Sequence, residues 1–269
     1  MTISETSAHF AAGAEARWAR LSRDPVGFLI LAMMAGAYVG AGILLILAVG
    51  QPADPSWRSL VMGASFGIAL TLVVFAGSEL FTGHAMYAAH GLLARRIGLR
   101  ETLGLWAASW GGNLVGAVLL AAVFVAGGGG AVLAPGAGSL LDAIATKKMH
   151  GTAVELLARG MLCNWLVCLA IWTSARTRDD TAKCILIFWC LFAFIASGFE
   201  HSVANMTVFS VALMAEHGPG VSLAGAAHNL MWVTLGNLIS GFVVMGLGYW
   251  RADRPAPVAK PDEAMTAAE

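Results

Sequence analysis

Residues 199–206 read Phe-Glu-His-Ser-Val-Ala-Asn-Met and place an ionisable pair, Glu200 and His201, inside a long apolar stretch. Residues 185–196 lead into this octapeptide and residues 206–215 lead out of it, and neither flank carries a charge. A charged side chain at the centre of a bilayer costs roughly 2.5–3.5 kcal/mol on insertion scales, so ionisable groups at that depth usually serve a function. The octapeptide therefore predicts a protein that moves something across a membrane.

The composition of the whole chain is typical of membrane proteins. Apolar residues make up 58% of its 269 residues and charged residues only 12%, whereas soluble domains carry about 25% charged residues. The net charge is zero, so nothing favours nucleic acid as a partner. The four cysteines lie in apolar stretches without metal-ligand spacing and are expected to be small buried hydrophobic residues. The first 24 residues lack the apolar core of a cleaved signal peptide, so the first apolar segment is expected to be a retained span.

Six apolar blocks divide the chain, and two of them are too long for one straight helix and too short for two crossings. The blocks cover residues 26–49, 59–94, 103–126, 152–175, 184–215 and 226–250. Polar residues interrupt the second block at 79–84 and the fifth block at 200–205. Irregular backbone at membrane depth is tolerated only where protein or a wet cavity surrounds it, so both interruptions are expected to face inward. The pattern predicts an all-α integral membrane protein with six transmembrane helices, of which spans two and five are broken.

The two halves of the chain repeat each other. Residues 77–79, Gly-Ser-Glu, match residues 198–200, Gly-Phe-Glu, at an offset of 121, and Gly112-Asn113 matches Gly236-Asn237 at an offset of 124. Three spans per repeat is an odd number, so the second copy must be inverted. Inverted three-helix repeats with matched broken helices usually indicate a transport site near the midplane of the membrane.

Three regions follow from this division. Residues 1–25 form a cytoplasmic N-terminal segment with the composition of an interfacial helix. Residues 26–250 form the transmembrane channel domain, with repeat one at 26–126 and repeat two at 152–250. Residues 251–269 form a cytoplasmic C-terminal tail rich in Pro, Ala and charge, which is expected to be disordered.

The distribution of Lys and Arg predicts the orientation. Twelve of these residues fall on one side of the predicted spans and three, Arg58, Lys147 and Lys148, fall on the other, while Arg159 lies inside a span. The twelve are Arg17, Arg20, Arg23, Arg95, Arg96, Arg100, Arg176, Arg178, Lys183, Arg251, Arg254 and Lys260. The positive-inside rule then places both termini in the cytoplasm, which agrees with an even number of crossings.

His201 is the first candidate for the function. An anion that crosses a low-dielectric constriction without its water loses most of its solvation energy, and protonation of a weak-acid anion removes most of that cost. Histidine suits this task because it gains and loses a proton near neutral pH. The alternative is a neutral core histidine bonded to a main-chain carbonyl.

Two further side chains are candidates for contact with the substrate. The Thr82 hydroxyl lies in the interruption of span two and either donates to an anion or to the imidazole, or caps the following helix. Lys148 lies at the outer entrance just before span four, where a single lysine is usually solvated.

Polar residues around the interruptions have more structural alternatives. Glu79, Glu200 and Asn205 are expected to cap the broken backbone or to handle protons. The side chain of Glu200 is expected to point about 100° away from its neighbour His201 if the backbone is helical. Asn113 and Asn237 are expected to bond the interruptions or each other rather than the substrate.

Four segments of the chain resemble the formate/nitrite transporter family. They are residues 77–84, 162–172, 196–206 and 232–237, within a likeness that extends from about residue 25 to about residue 250. Residues 34–40, 82–84 and 163–165 favour the nitrite branch of the family over the formate branch. The resemblance implies a homopentamer with one pore in each protomer, an aquaporin-like protomer fold and permeation of small monovalent anions.

The resemblance also implies roles for individual residues. The family's central histidine, loop threonine and entrance lysine fall on His201, Thr82 and Lys148. Its apolar constrictions, which sequence alone would assign to ordinary packing, fall on Phe66 and Phe194 on the outer side and on Leu70 and Leu80 on the inner side. Its polar residues near the path fall on Asn164 and Asn237.

We therefore predict a channel or transporter in the bacterial cytoplasmic membrane that carries nitrite, as the anion or with a proton as nitrous acid. A channel for formate or another small monovalent anion is the first alternative. A haem-binding membrane oxidoreductase subunit is remote, because only His201 is both deep and in an interruption. A water or ammonium channel is disfavoured because the interruptions carry no Asn-Pro-Ala motif and no twin pore histidines are present. No catalysis and no cofactor are expected, and the partners are small anions, lipid and further copies of the chain.

Overall fold

The computed structural model describes residues 1–134 and 139–253, and within these residues it contains helices and no strand. The predicted all-α class is confirmed. The helices are α1 Ile3–Arg23, α2 Pro25–Gly50, α3 Arg58–Ser65, α4 Gly67–Ala76, α5 Phe81–Leu93, α6 Leu99–Ala126, α7 Leu140–Met149, α8 Ala153–Ala175, α9 Asp180–Ala196, α10 Ser202–Met214, α11 Leu223–Ile239 and α12 Gly248–Ala252. A 3-10 turn at Gly130–Val132 precedes α7, and a π-helical segment, Ser240–Leu247, joins α11 to α12. Most of the predicted C-terminal tail, with Arg254 and Lys260, lies outside the described residues.

Five helical segments of the described part are long and apolar enough to cross a membrane. They are Pro25–Gly50, Arg58–Ala76, Leu99–Ala126, Ala153–Ala175 and Leu223–Ala252. One of them combines α3 with α4, and another combines α11, the π-helical segment and α12. The block predicted at 184–215 contains α9, with 17 residues, and α10, an apolar helix of 13 residues, because the polar octapeptide divides it. The chain is a multi-pass membrane protein.

Polar caps fix where several helices begin. The Thr2 and Thr152 hydroxyls each accept from the main-chain N–H three residues later, and Glu5 and Glu155 return the bond to the cap residue. This reciprocal arrangement satisfies two N–H groups that the helix itself leaves unpaired. The Asp24 carboxylate caps α2 by accepting from the N–H of Gly27, without a returned bond, immediately before a proline at the first helical position.

Two short non-helical segments separate otherwise consecutive helices. We define the first interruption as residues 77–80, between α4 and α5, and the second interruption as residues 197–201, between α9 and α10. Gly77, with φ 74°, and Gly198, with φ 71°, adopt the left-handed conformation there. A Cβ atom at either position would meet nothing within 4 Å, so the backbone conformation and not the space requires glycine.

Glycines bring two pairs of long helices into close contact. Gly36 of α2 lies against the main chain of Asn113 in α6, and Gly236 of α11 lies against the main chain of Leu157 in α8, where a Cβ atom would collide. Small residues of this kind allow membrane helices to approach closely. The contacts bring Asn113 and Asn237 next to the two interruptions.

The N-terminal helix α1 packs on the bundle through aromatic side chains. Phe10 is fully buried, with its ring stacked on Trp172 at 5.4 Å and edge-on to Tyr87 at 4.6 Å between centroids. Arg17 lies over the ring of Tyr87 at 3.9 Å. The segment predicted as a possible interfacial helix is thus helical and joined to α5 and α8.

Candidate functional site

Asn113 holds the first interruption in place from α6. Its side-chain carbonyl accepts from the N–H of Phe81 at 2.9 Å, and its amide donates to the carbonyls of Ala32 at 2.7 Å and Glu79 at 3.0 Å. The N–H of Glu79 donates to the carbonyl of Leu31 at 3.3 Å. One fully buried side chain therefore pairs the N–H of Phe81 and the carbonyl of Glu79, which a continuous helix would have paired, and also bonds a carbonyl of α2.

Asn237 does the same for the second interruption from α11. Its carbonyl accepts from the N–H of Ser202 at 2.9 Å, and its amide donates to the carbonyls of Gly160 at 2.8 Å and Glu200 at 3.1 Å. The N–H of Glu200 donates to the carbonyl of Arg159 at 3.3 Å. The two asparagines bond the interruptions, as the sequence indicated, and not each other's side chains.

His201 and Thr82 meet between the two interruptions. The Nε2 atom of His201 lies 3.1 Å from the Thr82 hydroxyl, and both residues are buried. The Nδ1 atom accepts from the N–H of Ala204 at 3.1 Å and so caps α10. Because an accepting nitrogen carries no hydrogen, the neutral ring has its proton on Nε2, and this proton is donated to Thr82.

Glu200 points away from His201 into a second set of polar contacts. Its carboxylate accepts from the Lys148 ammonium at 2.9 Å and from the Asn205 amide at 2.6 Å. Asn205 also donates to Asn229 at 2.8 Å. Lys148 lies in the last turn of α7, and the Glu200 side chain with which it pairs is only 4% exposed. The carboxylate thus bonds side chains and not the ends of the broken helix.

Glu79 has a matching set of contacts that the sequence reasoning missed. Its carboxylate lies 2.7 Å from Nε2 of His84 and accepts from Arg17 of α1 at 3.0 Å. His84 follows Glu79 by five residues, as Asn205 follows Glu200, and this equal spacing was the available signal. From the sequence, Arg17 is only one of the twelve basic residues predicted to be cytoplasmic, because nothing in the sequence links it to Glu79, 62 positions away.

Three cavities lie in a row through this region. We name the cavities after the orientation predicted from the sequence, and the one called outer, of about 290 Å³, is lined by Lys148, Phe194 and His201 among others. A central cavity of about 10 Å³ shares Phe194 and His201 with it. The inner cavity, of about 320 Å³, shares Leu80 with the central cavity. A cavity of about 10 Å³ holds roughly one water molecule, so the row is nearly closed at its centre.

Apolar side chains surround the central cavity. Phe66 and Phe194 meet edge to face with centroids 5.4 Å apart, and the ring of Phe194 stacks on His201 at 6.0 Å. Leu70 and Leu80 line the same cavity and are buried. The four residues predicted as constrictions are thus together around one narrow point.

Asn164 and Asn237 do not line any of these three cavities. Asn164 is fully buried and donates to the main-chain carbonyls of Thr82 at 3.2 Å and Asn237 at 2.6 Å. Thr82 does not line them either; its hydroxyl bonds the imidazole of His201, which lines the outer and the central cavity. Both asparagines support the backbone that carries the candidate site.

Comparison with known proteins identifies the family of this chain. A family profile described as formate/nitrite transporter matches residues 6–251. The nitrite transporter NirC of Salmonella typhimurium is 53% identical over 247 residues, which cover 90% of this chain and 91% of the relative. The formate channel BtFdhC of Bacillus thuringiensis is 36% identical over 242 residues, covering 88% of this chain and 90% of the relative.

Solved structures show the same similarity. A structure described as an FNT family ion channel has a TM-score of 0.90 at 52% identity and covers 93% of this chain and 100% of its own. A pentameric formate channel with formate bound has a TM-score of 0.71 at 27% identity, covering 84% and 96%. The resemblance inferred from the motifs is confirmed, and the chain belongs to the formate/nitrite transporter family.

Proposed function

We propose that this protein transports nitrite across the bacterial cytoplasmic membrane through a pore in each protomer. The observation that carries the proposal is the His201–Thr82 pair, which is buried at 3.1 Å where the outer and inner cavities approach each other. The 53% identity to a relative named as a nitrite transporter supports nitrite as the substrate.

The path begins in the outer cavity and ends in the inner one. The anion leaves water at Phe66 and Phe194, passes the His201–Thr82 pair, and leaves the narrow region at Leu70 and Leu80. Because Phe194 and His201 border both the outer and the central cavity, the anion meets the imidazole as it loses water. Hydrogen-bond donors at that point replace part of the lost hydration.

The hydrogen bonds define what the pair offers to an anion. His201 donates its Nε2 hydrogen to Thr82, which leaves the Thr82 hydroxyl its own hydrogen to donate. A hydroxyl that accepts one bond becomes a stronger donor in the next. A second proton on His201 requires Nδ1 to release the N–H of Ala204. The resting pair therefore acts on the anion as a neutral donor, and proton transfer to form nitrous acid requires that the cap on α10 opens first.

The finer architecture follows from the same proposal. The chain crosses the membrane six times in two inverted three-helix repeats, 26–126 and 152–250, with the interruptions dividing the second and fifth crossings in an aquaporin-like protomer. Helix α1 lies at the inner surface and both termini are cytoplasmic. The protein assembles as a homopentamer, for which the pentameric formate channel that resembles it is the support.

Formate is the second candidate substrate. The formate channel of Bacillus thuringiensis is 36% identical to this chain, and the similar pentameric channel holds formate. Nitrite and formate are both small monovalent anions of weak acids. The fold is the same for both substrates, so a competition experiment between nitrite and formate is needed to distinguish them.

The experiment is nitrite flux into proteoliposomes, with and without a clamped voltage, against protein-free liposomes. Flux matched by current means that nitrite crosses as the anion, and electrically silent flux driven by a proton gradient means that it crosses as nitrous acid. Formate is added as a competitor in each case. Absence of nitrite flux above protein-free liposomes would overturn the proposal.

A further inference from the structure

Arg159 lines the outer cavity without an ion-pair partner. It belongs to α8, two turns after the helix begins, and its side chain is half-buried against the same space as Lys148 and His201. Among residues 1–134 and 139–253, no carboxylate forms an ion pair with it within 4 Å. An arginine inside a membrane-spanning helix is costly, so an unpaired one calls for an explanation.

The other charges of the outer cavity are either compensated or exposed. Its titratable lining comprises Lys147, Lys148, Arg159, Glu200 and His201. Lys148 and Glu200 form an ion pair at 2.9 Å. Lys147 is exposed on α7. Three cations thus face one carboxylate, and the uncompensated charge nearest to the second interruption belongs to Arg159.

Glu155 precedes Arg159 by one helical turn, and its carboxylate bonds the N–H of Thr152 at 3.0 Å and the hydroxyl of the same residue at 2.9 Å. Glu155 is exposed at the start of α8, and it acts on Arg159 through a charge interaction without an ion pair. Solvent weakens such an exposed interaction, so Arg159 keeps most of its charge for the cavity that it lines.

We propose that Arg159 binds the anion in the outer cavity before it reaches His201, and that Lys148 mainly holds Glu200. The main-chain carbonyl of Arg159 accepts from the N–H of Glu200 at 3.3 Å, so the arginine is attached one residue from His201. Guanidinium presents paired N–H donors that fit the two oxygens of a planar anion, and an ammonium does not. The inference rests on the proposed function and names a further residue for it.

Among the described residues, the inner cavity has no equivalent of Arg159. The main-chain carbonyl that accepts from the N–H of Glu79 belongs to Leu31, whereas the one that accepts from the N–H of Glu200 belongs to Arg159. The two basic side chains of Lys or Arg type that line the inner cavity, Arg17 and Lys183, are paired with Glu79 at 3.0 Å and with Asp180 at 2.7 Å. The proposal therefore predicts an effect on binding from the outer side alone.

The test is nitrite uptake measured separately from each face, in intact cells and in everted vesicles. Focused positive charge raises local anion concentration by about tenfold or more. We expect Arg159→Gln to raise the half-saturating outer nitrite concentration by about tenfold and to leave the everted-vesicle value unchanged. Arg159→Lys keeps the charge and is expected to fall between wild type and Arg159→Gln.

Lys147→Gln is the matched control, because it removes a positive charge from the same cavity at an exposed position. Its expected effect is below about twofold at physiological salt, because salt screens the field of a solvent-exposed charge over about 8 Å. An unchanged outer half-saturating concentration in Arg159→Gln would overturn the proposal. Absence of nitrite uptake by the wild-type protein would instead overturn the proposed function, so the two failures are distinguishable.

Discussion

The first interruption ends at Leu80 and the second ends at His201, while the residues around them correspond. Each interruption has a left-handed glycine near its start, Gly77 in the first position of one and Gly198 in the second position of the other. Each is bonded by an asparagine from a neighbouring long helix, which accepts one hydrogen bond and donates two. Each buried glutamate accepts from a polar side chain five residues later and from a cation of a distant helix. The glycine, the asparagine and the glutamate of each set hold an interrupted backbone in an apolar environment, and each of the two interruptions needs its own set.

The positions that differ are the ones that meet each other. Leu80 corresponds to His201, and Thr82 corresponds to Val203, at the same offset of 121 residues. The polar member of each pair contributes to the bond between His201 and Thr82, and the apolar member Leu80 lines the central cavity. The residues that hold the backbone are thus the same in both repeats. The chemistry that we propose belongs to the positions at which the two repeats carry different residues.

Loss of either anchoring asparagine is expected to have the largest effect. Asn113→Ala and Asn237→Ala each leave one main-chain N–H and one carbonyl beside an interruption without a partner, at about 1–3 kcal/mol for each group. The third group that each asparagine bonds, a carbonyl of α2 or α8, keeps its partner within that helix. Both variants are therefore expected to lose roughly 2–6 kcal/mol of unfolding free energy, measured by denaturation in detergent.

Asn164→Ala is the control, because that side chain donates to two carbonyls and pairs with no main-chain N–H. Its loss of unfolding free energy is expected to be smaller. If Asn113→Ala proved harmless while Asn237→Ala unfolded the protein, the two interruptions would not be equivalent.

Removal of the cation that pairs with each glutamate is expected to affect protein stability differently at Glu79 and at Glu200. Lys148→Gln and Arg17→Gln each remove the cation from a buried carboxylate, at about 2 kcal/mol. His84 can take up a proton and replace Arg17 beside Glu79, whereas Asn205 cannot replace Lys148. The stability loss of Arg17→Gln is therefore expected to shrink as the pH falls below about 6.5, the ordinary pKa of an imidazole, more than that of Lys148→Gln.

The double variant Arg17→Gln, His84→Asn checks this explanation by giving Glu79 the same amide partner that Glu200 has. Its thermal midpoint is expected to follow pH as that of Lys148→Gln does. An unchanged difference in pH dependence between the two would rule out His84 as the group responsible.

Substitution of the two glycines is expected to have the smallest effect, and an equal one. Gly77→Ala and Gly198→Ala find free space but place a Cβ atom on a left-handed backbone, which costs about 1–2 kcal/mol. Asparagine tolerates this conformation better than alanine, so Gly77→Asn and Gly198→Asn are expected to be milder. Unequal losses of thermal midpoint for the two alanine variants would count against equivalent backbones.

The sequence placed the two interruptions at 79–84 and 200–205, within a few residues of the non-helical segments 77–80 and 197–201, but residues 81–84 and 202–205 proved to be helical. Glu79 and Glu200 are the charges that interrupt apolar blocks of unusual length, and the glycines and asparagines near them repeat at similar offsets. Such local signals arise because unpaired backbone in an apolar environment needs specific residues. Asn113 and Asn237 were assigned to the interruptions on this ground.

The ion pairs between side chains of different helices were not predictable from such local signals. Arg17 lies 62 residues before Glu79, and Lys148 lies 52 residues before Glu200. Such contacts depend on how helices pack, which leaves no pattern in a single sequence. The same reason explains why Arg159 was recognised as lying within a span but not as facing a cavity.

The most direct test of the account is nitrite flux in the variant His201→Asn. Asparagine is a good N-cap residue, so this variant retains the cap on α10 while it removes the donor that reaches Thr82. A hydrogen bond to a charged group contributes about 1.5–3 kcal/mol, so nitrite flux is expected to fall roughly ten- to hundredfold in a correctly folded protein. Nitrite flux equal to that of the wild-type protein would contradict the claim that the His201–Thr82 pair is where the anion is met.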